Sequence, residues 1–310
     1  MTNDVDLEPN AQAYGRHAAR SALADFIELS AVSGVPVDRS HLAAYLNDAP
    51  WQIPADELFV EPIVDMVDDE DVSLDVADSV FELIHQRMDI LRERYPFHVD
   101  ARGRVSFIGN EDRRDPYLAL LATTVAHAYQ MSTPRAPHDV FPESMTAVMQ
   151  SRGMTFVCFS SLRKEMSFRD AVQQAGEQLL LMPTPDHGLR SRRVQDAGGD
   201  VVGAVGWADS RPGAWTFIGQ ATVGLSETWR QKAMEPSANW SVFLNTTVRP
   251  VPFLGVPHHV EPRHLAWLVE DTQSVVVDRL RLVLFKEELL PDEEAICDVV
   301  FTTPVANLVR

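Results

Sequence analysis

Apolar residues with helical spacing dominate the first 130 residues of the chain. Apolar side chains recur every three to four positions, as in helices that pack one face against a core. This pattern predicts helices over 10–33, 39–47, 55–67, 73–94 and 115–130. Weaker alternation around Arg102-Gly103 predicts a hairpin over 97–108. Residues 1–135 are therefore predicted to form a mainly helical module.

The second half alternates between short apolar runs and helical spacing. Two prolines interrupt regular structure at 132–138, where we predict a domain boundary. The pattern predicts strands over 155–160, 200–207, 214–221 and 251–256, and helices over 139–152, 167–182, 226–247 and 262–271. A turn at 208–213 would join two of the strands, and 274–285 fits either a strand or a helix. This order predicts an α/β domain over 139–310.

Composition narrows the class of protein. The chain has 310 residues, of which 45% are hydrophobic and 23% charged, as in a soluble globular protein with a sizeable core. No stretch approaches the ~20 apolar residues of a membrane span. The acidic N-terminus has no feature of a signal or transit peptide, so we expect a cytoplasmic protein without membrane contact. Cys158 and Cys297 are too few for a disulfide framework or a four-thiolate metal site.

The net charge of −18 is unevenly distributed. Residues 1–100 carry 21 acidic and 6 basic side chains, whereas residues 101–250 carry 14 acidic and 16 basic ones. A protein that bound nucleic acid over its whole surface would be basic. We therefore expect any phosphate contacts in the middle of the chain. The acidic module is expected to be a solvated surface or to dock a basic protein.

The candidate chemistry lies where two of the predicted strands would meet. Asp200 follows Gly198-Gly199 at the start of one strand, and Gln220 ends the next. In a hairpin the start of the first strand faces the end of the second, which brings the carboxylate and the amide together. With the backbone carbonyl of Ala221 they would offer the oxygen ligands that Mg²⁺ prefers. A metal ion held there would activate water and stabilise a phosphodiester in displacement.

Residues 196–202 (DAGGDVV), followed by Gln220, resemble the PD-(D/E)XK nuclease superfamily, in particular its Mrr-type restriction endonucleases. The resemblance covers about 165–260. It implies a restriction-endonuclease-like central sheet flanked by helices, and cleavage of DNA with Mg²⁺ or Mn²⁺ in bacterial defence. It also implies that Asp200 binds metal and that Gln220 replaces the second acidic residue. Glu177 lies on the helix that carries a glutamate in this family.

One position departs from the family pattern. The catalytic lysine of the family stands two residues after Gln220, where this chain has Thr222, which supplies no cation. Some members of the superfamily carry a migrated catalytic residue on the next helix, where this chain has Arg230 and Lys232. Two hypotheses follow: an active nuclease that uses Lys232, or an inactive subunit that binds DNA or a partner protein. Because no phosphate-binding G-x-x-x-x-G-K-[ST] loop is present, an ATPase or recognition subunit is a candidate partner for the acidic module.

Other chemistry-bearing residues fit structural roles better. His258-His259 suggest a metal ligand or a general base, but no third ligand stands at a recognisable spacing. A thiol hydrolase built on Cys158 and one of these histidines is a weaker alternative, since Cys158 lies in an apolar run. The five tryptophans of the second half are predicted to be core residues rather than a base-stacking surface.

Overall fold

A computed structural model describes eight stretches of the chain: 19–48, 69–110, 113–184, 198–207, 213–224, 226–240, 243–246 and 248–303. The helix predicted over 55–67 lies outside them, as do the start of the 10–33 helix and most of the 208–213 turn. Within these stretches the protein is a mixed α/β structure with a five-stranded sheet. No helix in the described part of the chain is long and apolar enough to cross a membrane.

The described elements of the first half are helical apart from one hairpin, which confirms the prediction for these residues. They are α1 (Ala19–Val32), α2 (Arg39–Asp48), α3 (Asp69–Leu91), the strands β1 (Phe97–Val99) and β2 (Val105–Phe107), and α4 (Pro116–Ala128). Just after α1, Gly34 adopts a φ of +80°, which favours glycine. The Asp115 carboxylate accepts hydrogen bonds from the N–H groups of Tyr117 and Leu118 and so caps α4.

The second half contains the main sheet and the helices that cover it. In chain order they are α5 (Pro137–Gln150), β3 (Thr155–Cys158), α6 (Phe159–Glu165), α7 (Phe168–Leu179), β4 (Val201–Val205), β5 (Trp215–Ala221), α8 (Trp229–Asn239), β6 (Val251–Gly255), α9 (Pro262–Thr272), β7 (Val275–Val277), α10 (Arg279–Val283) and α11 (Pro291–Thr302). The predicted strands and helices of this half are present, with the differences described next.

Several boundaries differ from the predicted ones. The strand predicted over 155–160 stops at Cys158 because α6 begins at Phe159. The ambiguous segment 274–285 contains both a strand and a helix, since Asp278 accepts a hydrogen bond from the Arg281 N–H and starts α10. The predicted helix over 226–247 extends too far, because α8 ends at Asn239. Helices α6 and α11 are additional to the prediction.

The sheet has the strand order β3-β4-β5-β6-β7. Strand β4 is antiparallel to both of its neighbours, while β5, β6 and β7 are parallel to one another. Successive side chains of a strand point to opposite faces of the sheet, and both faces here are apolar. Helices therefore pack on both faces. Val201 belongs to the large buried cluster that includes α4, and Val202 belongs to a second cluster with α7. The large cluster contains residues on both sides of 132–138, and the division into modules 1–135 and 139–310 stays a prediction.

A buried network of four charges joins the first helices to the end of the sheet. The Arg279 guanidinium binds both carboxylate oxygens of Asp25 at 2.7 Å. Arg87 binds Glu28 and Asp25, each at 2.8 Å. The hydroxyl of Tyr117 donates to Glu28 at 2.8 Å. All four charged side chains are at most 2% exposed, so helices α1 and α3 are tied to α10 through ion pairs that exclude water.

The ion pairs keep Asp25 and Arg87 charged despite their burial. Burial alone would raise the pKa of Asp25, but Arg279 and Arg87 hold it below the usual value. Burial alone would lower the pKa of Arg87, and Glu28 keeps it well above the ordinary range. Burial and the Glu28 charge raise the pKa of Tyr95 well above its ordinary value. Each charge therefore depends on its partners, and removal of one leaves another uncompensated in the interior.

Candidate functional site

The β4–β5 hairpin brings Asp200 and Gln220 to the same end of the sheet. Its register places Val201 opposite Gly219, so Asp200 and Gln220 occupy the next positions on the two chains. The Asp200 N–H donates to the Gly219 carbonyl at 2.9 Å, and Asp200 Oδ2 accepts from the Ala221 N–H at 3.0 Å. This juxtaposition is the one expected from the sequence. The chemical roles of the two residues stay predictions.

The glycines before Asp200 are required by close packing. A side chain at Gly199 would place its Cβ 2.5 Å from the indole nitrogen of the buried Trp240. Gly198 has a φ of +73°, which other residues rarely adopt. The Asp200 carbonyl then accepts hydrogen bonds from the N–H groups of Phe159 and Ser160 at 2.7 and 3.1 Å. The G-G-D segment is thus fixed to both α6 and β5.

Lys232 on α8 reaches the strand position at which the resembled family has its lysine. Its Nζ donates to Thr222 Oγ1 at 2.6 Å. The Thr222 N–H bonds to the Gly255 carbonyl, so the parallel ladder continues past β5. Thr222 therefore points to the same side of the sheet as Gln220, two residues earlier. Arg230, the other candidate cation, instead pairs with the Asp271 carboxylate at 2.6 Å.

Glu177 does not join this group through any described contact. Its side chain is exposed on the outer face of α7, where its carboxylate accepts a hydrogen bond from Gln173 at 2.8 Å. The opposite face of α7, which includes Val172 and Ala175, is buried in the second core cluster. The predicted role of Glu177 in completing or orienting the site therefore has no contact to support it.

The oxygen donors of this corner suit a hard divalent cation. A carboxylate, an amide oxygen and a backbone carbonyl are ligands that Mg²⁺ and Mn²⁺ accept. The set is small, because the described residues include no group of three or more His, Cys, Asp or Glu side chains arranged to hold a metal ion. An ion bound by Asp200, Gln220 and the Ala221 carbonyl would take its remaining ligands from water and substrate phosphate.

The histidines after β6 are buried and have partners inside the protein. His258 Nε2 lies 3.2 Å from the Val223 carbonyl oxygen. His259 Nδ1 accepts a hydrogen bond from Arg87 Nε at 3.1 Å. Burial, together with the charges of Arg87 and Arg279, holds the pKa of His259 well below its usual value. His259 therefore joins the loop after β6 to the charged network, while His258 joins it to the backbone just after Thr222.

Protonation of His259 is expected to oppose folding. The neutral imidazole fits the interior, whereas the unfolded chain binds a proton near pH 6.5. Stability from this group is therefore complete above pH 6.5 and falls below it, by about 1.4 kcal/mol for each pH unit. Urea unfolding at pH 7.5 and 5.5 should show a weaker pH dependence in His259→Asn, which keeps an acceptor for Arg87, than in the wild type. Equal pH dependence in the two proteins contradicts this prediction.

Cys158 has partners of its own. Its Sγ lies 3.2 Å from Ser161 Oγ and 3.4 Å from Ser160 Oγ. The Ser161 hydroxyl donates to Glu143 at 2.6 Å. The described contacts of the thiol include neither His258 nor His259, so the thiol-hydrolase alternative gains no support from them.

Sequence reasoning missed two features. The helical pattern of residues 10–33 does not predict the charged network, because it depends on apolar positions and Asp25 and Glu28 stand between them. Two acids three residues apart in an otherwise apolar run were a usable signal.

The prediction that the tryptophans of the second half are core residues is right for Trp229 and Trp240. It is wrong for Trp207, Trp215 and Trp267, which are exposed.

Comparisons of the chain with models of protein families, with curated proteins and with solved structures find no match. The residues and their geometry therefore carry the functional argument.

Proposed function

We propose that this protein is a metal-dependent nuclease that cleaves DNA, with a restriction-endonuclease-like arrangement of its sheet and a role in bacterial defence. The observation that carries the proposal is the contact between Lys232 and Thr222. It supplies an ammonium group beside the strand position where the resembled family has lysine, on the strand that also carries Gln220. Asp200, which lies opposite Gln220 in the hairpin, is held at this end of the sheet because its carboxylate accepts a hydrogen bond from the Ala221 N–H.

Each residue of the site has a distinct task in this proposal. Asp200, Gln220 and the Ala221 carbonyl would hold Mg²⁺ or Mn²⁺, and such an ion would supply activation of a water molecule and stabilisation of charge on the phosphate. The water oxygen forms a bond to phosphorus and releases a proton to solvent, while the bond to the leaving sugar oxygen breaks and that oxygen takes up a proton from solvent. Thr222 orients the Lys232 ammonium, which stabilises negative charge on the phosphate oxygens.

A second candidate is an inactive subunit that uses the same fold to bind DNA or a partner protein. The small donor set favours it, because one oxygen of Asp200 already accepts the Ala221 N–H and Glu177 lies on the outer face of α7. In either case the acidic module 1–135 is a surface on which a recognition subunit or an ATPase with a basic face would dock.

Cleavage of plasmid and linear DNA with Mg²⁺ or Mn²⁺ tests the proposal. The wild type should cut, and Asp200→Ala should lose about a hundredfold or more in rate, because Asp200 is the charged member of the three proposed ligands. Asp298→Ala, which removes an exposed carboxylate on α11, is the matched control and should cut normally. Cutting that persists in Asp200→Ala rejects the site. Binding of DNA without cutting by the wild type, alone and with a partner subunit, favours the inactive subunit.

A further inference from the structure

Four aromatic rings form a chain from the edge of the candidate site to the protein surface. His258 lies 5.6 Å from Trp229, Trp229 lies 5.8 Å from His264, and His264 lies 5.6 Å from Trp267, all measured between ring centroids. The Trp229 indole donates to the Gly224 carbonyl at 3.1 Å. Two rings of this aromatic chain, His258 and Trp229, therefore contact the backbone at Val223 and Gly224, directly after Thr222. Trp229 also stands one helical turn before Lys232 on α8.

The two ends of the aromatic chain differ in exposure. Trp229 is 2% exposed, whereas Trp267 is 51% exposed. His264 and Trp267 are three residues apart on α9 and so share one face of that helix. The buried rings fix His264, which in turn supports the indole at the surface. An indole supported from behind, with half of its area in water, is a rigid surface on which another aromatic ring can stack.

The charge of the protein favours a base over a phosphate as the group that binds there. With a net charge of −18, the chain gains little affinity from neutralising phosphates. Stacking of bases on aromatic side chains needs no positive charge and works with any sequence. It needs an exposed base face, however, and a paired duplex covers the faces of its bases. An aromatic surface joined to the edge of a nuclease site through His264 and Trp229 is therefore suited to an unpaired nucleotide.

We propose that Trp267, supported by His264, stacks on an unpaired base of the DNA strand that enters the site at Asp200 and Lys232. The preferred substrate is then DNA with a single-stranded segment beside the cleaved bond. This inference rests on the proposed nuclease function and adds the form of the substrate to it.

The other exposed tryptophans provide a matched control. Trp215 is 54% exposed and packs edge-on against Trp207 at 5.6 Å. It begins β5, six residues before Ala221, so it lies about 20 Å along the strand from the candidate site. If exposed indole area in general binds DNA, Trp215→Ala should lose affinity as well as Trp267→Ala. If stacking depends on the aromatic chain that leads to the candidate site, only Trp267→Ala of these two variants should lose affinity.

Binding of fluorescently labelled single-stranded and duplex oligonucleotides of one sequence tests the inference. Anisotropy titrations in EDTA separate binding from metal-dependent cleavage. We expect tighter binding of the single strand, and a loss of about tenfold to a hundredfold in Trp267→Ala, the effect of removing one stacked base. Trp267→Phe should retain most of the affinity, and Trp215→Ala should stay within twofold of the wild type. Because both alanine variants remove exposed rings, their thermal midpoints should match that of the wild type.

The possible results separate this inference from the function on which it rests. If the wild type cuts DNA but Trp267→Ala binds single strands as the wild type does, the stacking surface is rejected and the nuclease remains. Equal losses in Trp267→Ala and Trp215→Ala also reject it. If the wild type neither binds nor cuts any DNA, both the proposed function and the inference are wrong.

Discussion

Replacing Arg279 with methionine is expected to lower the free energy of unfolding by about 3–5 kcal/mol. The guanidinium binds both oxygens of Asp25 and also donates to Thr124 and the Pro257 carbonyl, all in the interior. Methionine fills similar volume but leaves the Asp25 carboxylate with Arg87 alone, which Glu28 already shares. Urea unfolding followed by circular dichroism at pH 7.5 measures the loss.

Two further variants identify the cause of this loss. Arg114→Met removes an arginine from a largely exposed pair with Glu294, and its effect should stay below about 1 kcal/mol. The double variant Arg279→Met, Asp25→Leu should recover part of the stability, because it replaces the ion pair by apolar groups and leaves neither charge unpaired. The ionic account is wrong if Arg279→Met lowers the free energy of unfolding no more than Arg114→Met does. It is also wrong if the loss in the double variant exceeds the sum of the losses in the two single variants.

The network also connects the first helices to the segment beside the candidate site. The His258 carbonyl accepts the Arg279 N–H, and the His259 carbonyl accepts the Ser21 hydroxyl on α1. His258 in turn contacts the Val223 carbonyl, next to Thr222. The acidic module and the sheet are therefore linked by internal hydrogen bonds. A partner docked on α1 would act on a helix that contacts the loop after β6.

Local patterns in the sequence predicted most of the described helices and the juxtaposition of Asp200 with Gln220. A hairpin is a short-range structure, so glycines before one strand and a turn between two strands are enough to set which residues face each other. The orientation of Glu177 was also readable. Val172, Ala175 and Leu179 mark the buried stripe of α7, and position 177 falls outside it.

Long-range partners could not be predicted in the same way. Arg279 and Asp25 are 254 positions apart, and nothing in either local sequence selects the other. Helices α1 and α10 both pack against α3, which brings the two side chains together, and that packing follows from the whole core. The exposure of Trp267 could not be predicted for a similar reason, because an indole has an apolar body and a polar N–H and occurs both in cores and at surfaces. Tertiary contacts determine which of the two it adopts.

Removal of the Lys232 ammonium is expected to slow DNA cleavage by about a hundredfold or more, the cost of losing one group that stabilises developing charge. The change is Lys232→Ala, and initial rates of plasmid cutting with Mg²⁺ measure it. Lys164→Ala is the matched control, since Lys164 pairs with Asp139 at the surface of α6 and should be dispensable. Cleavage by Lys232→Ala at the wild-type rate would show that this lysine has no part in the reaction.

The exchange of the two contacting side chains tests the placement of the charge. Lys232 Nζ and Thr222 Oγ1 are 2.6 Å apart, so the double variant Thr222→Lys, Lys232→Thr keeps one ammonium and one hydroxyl in nearly the same space. It also restores the lysine two residues after Gln220 that the resembled family carries. If the site needs a cation at this point, the double variant should cleave DNA at least about tenfold faster than Lys232→Ala does. A double variant as slow as Lys232→Ala, with an unchanged thermal midpoint, means that the ammonium acts from α8 in a way the strand position cannot replace. A lowered thermal midpoint in both variants means instead that the contact between Lys232 and Thr222 is structural.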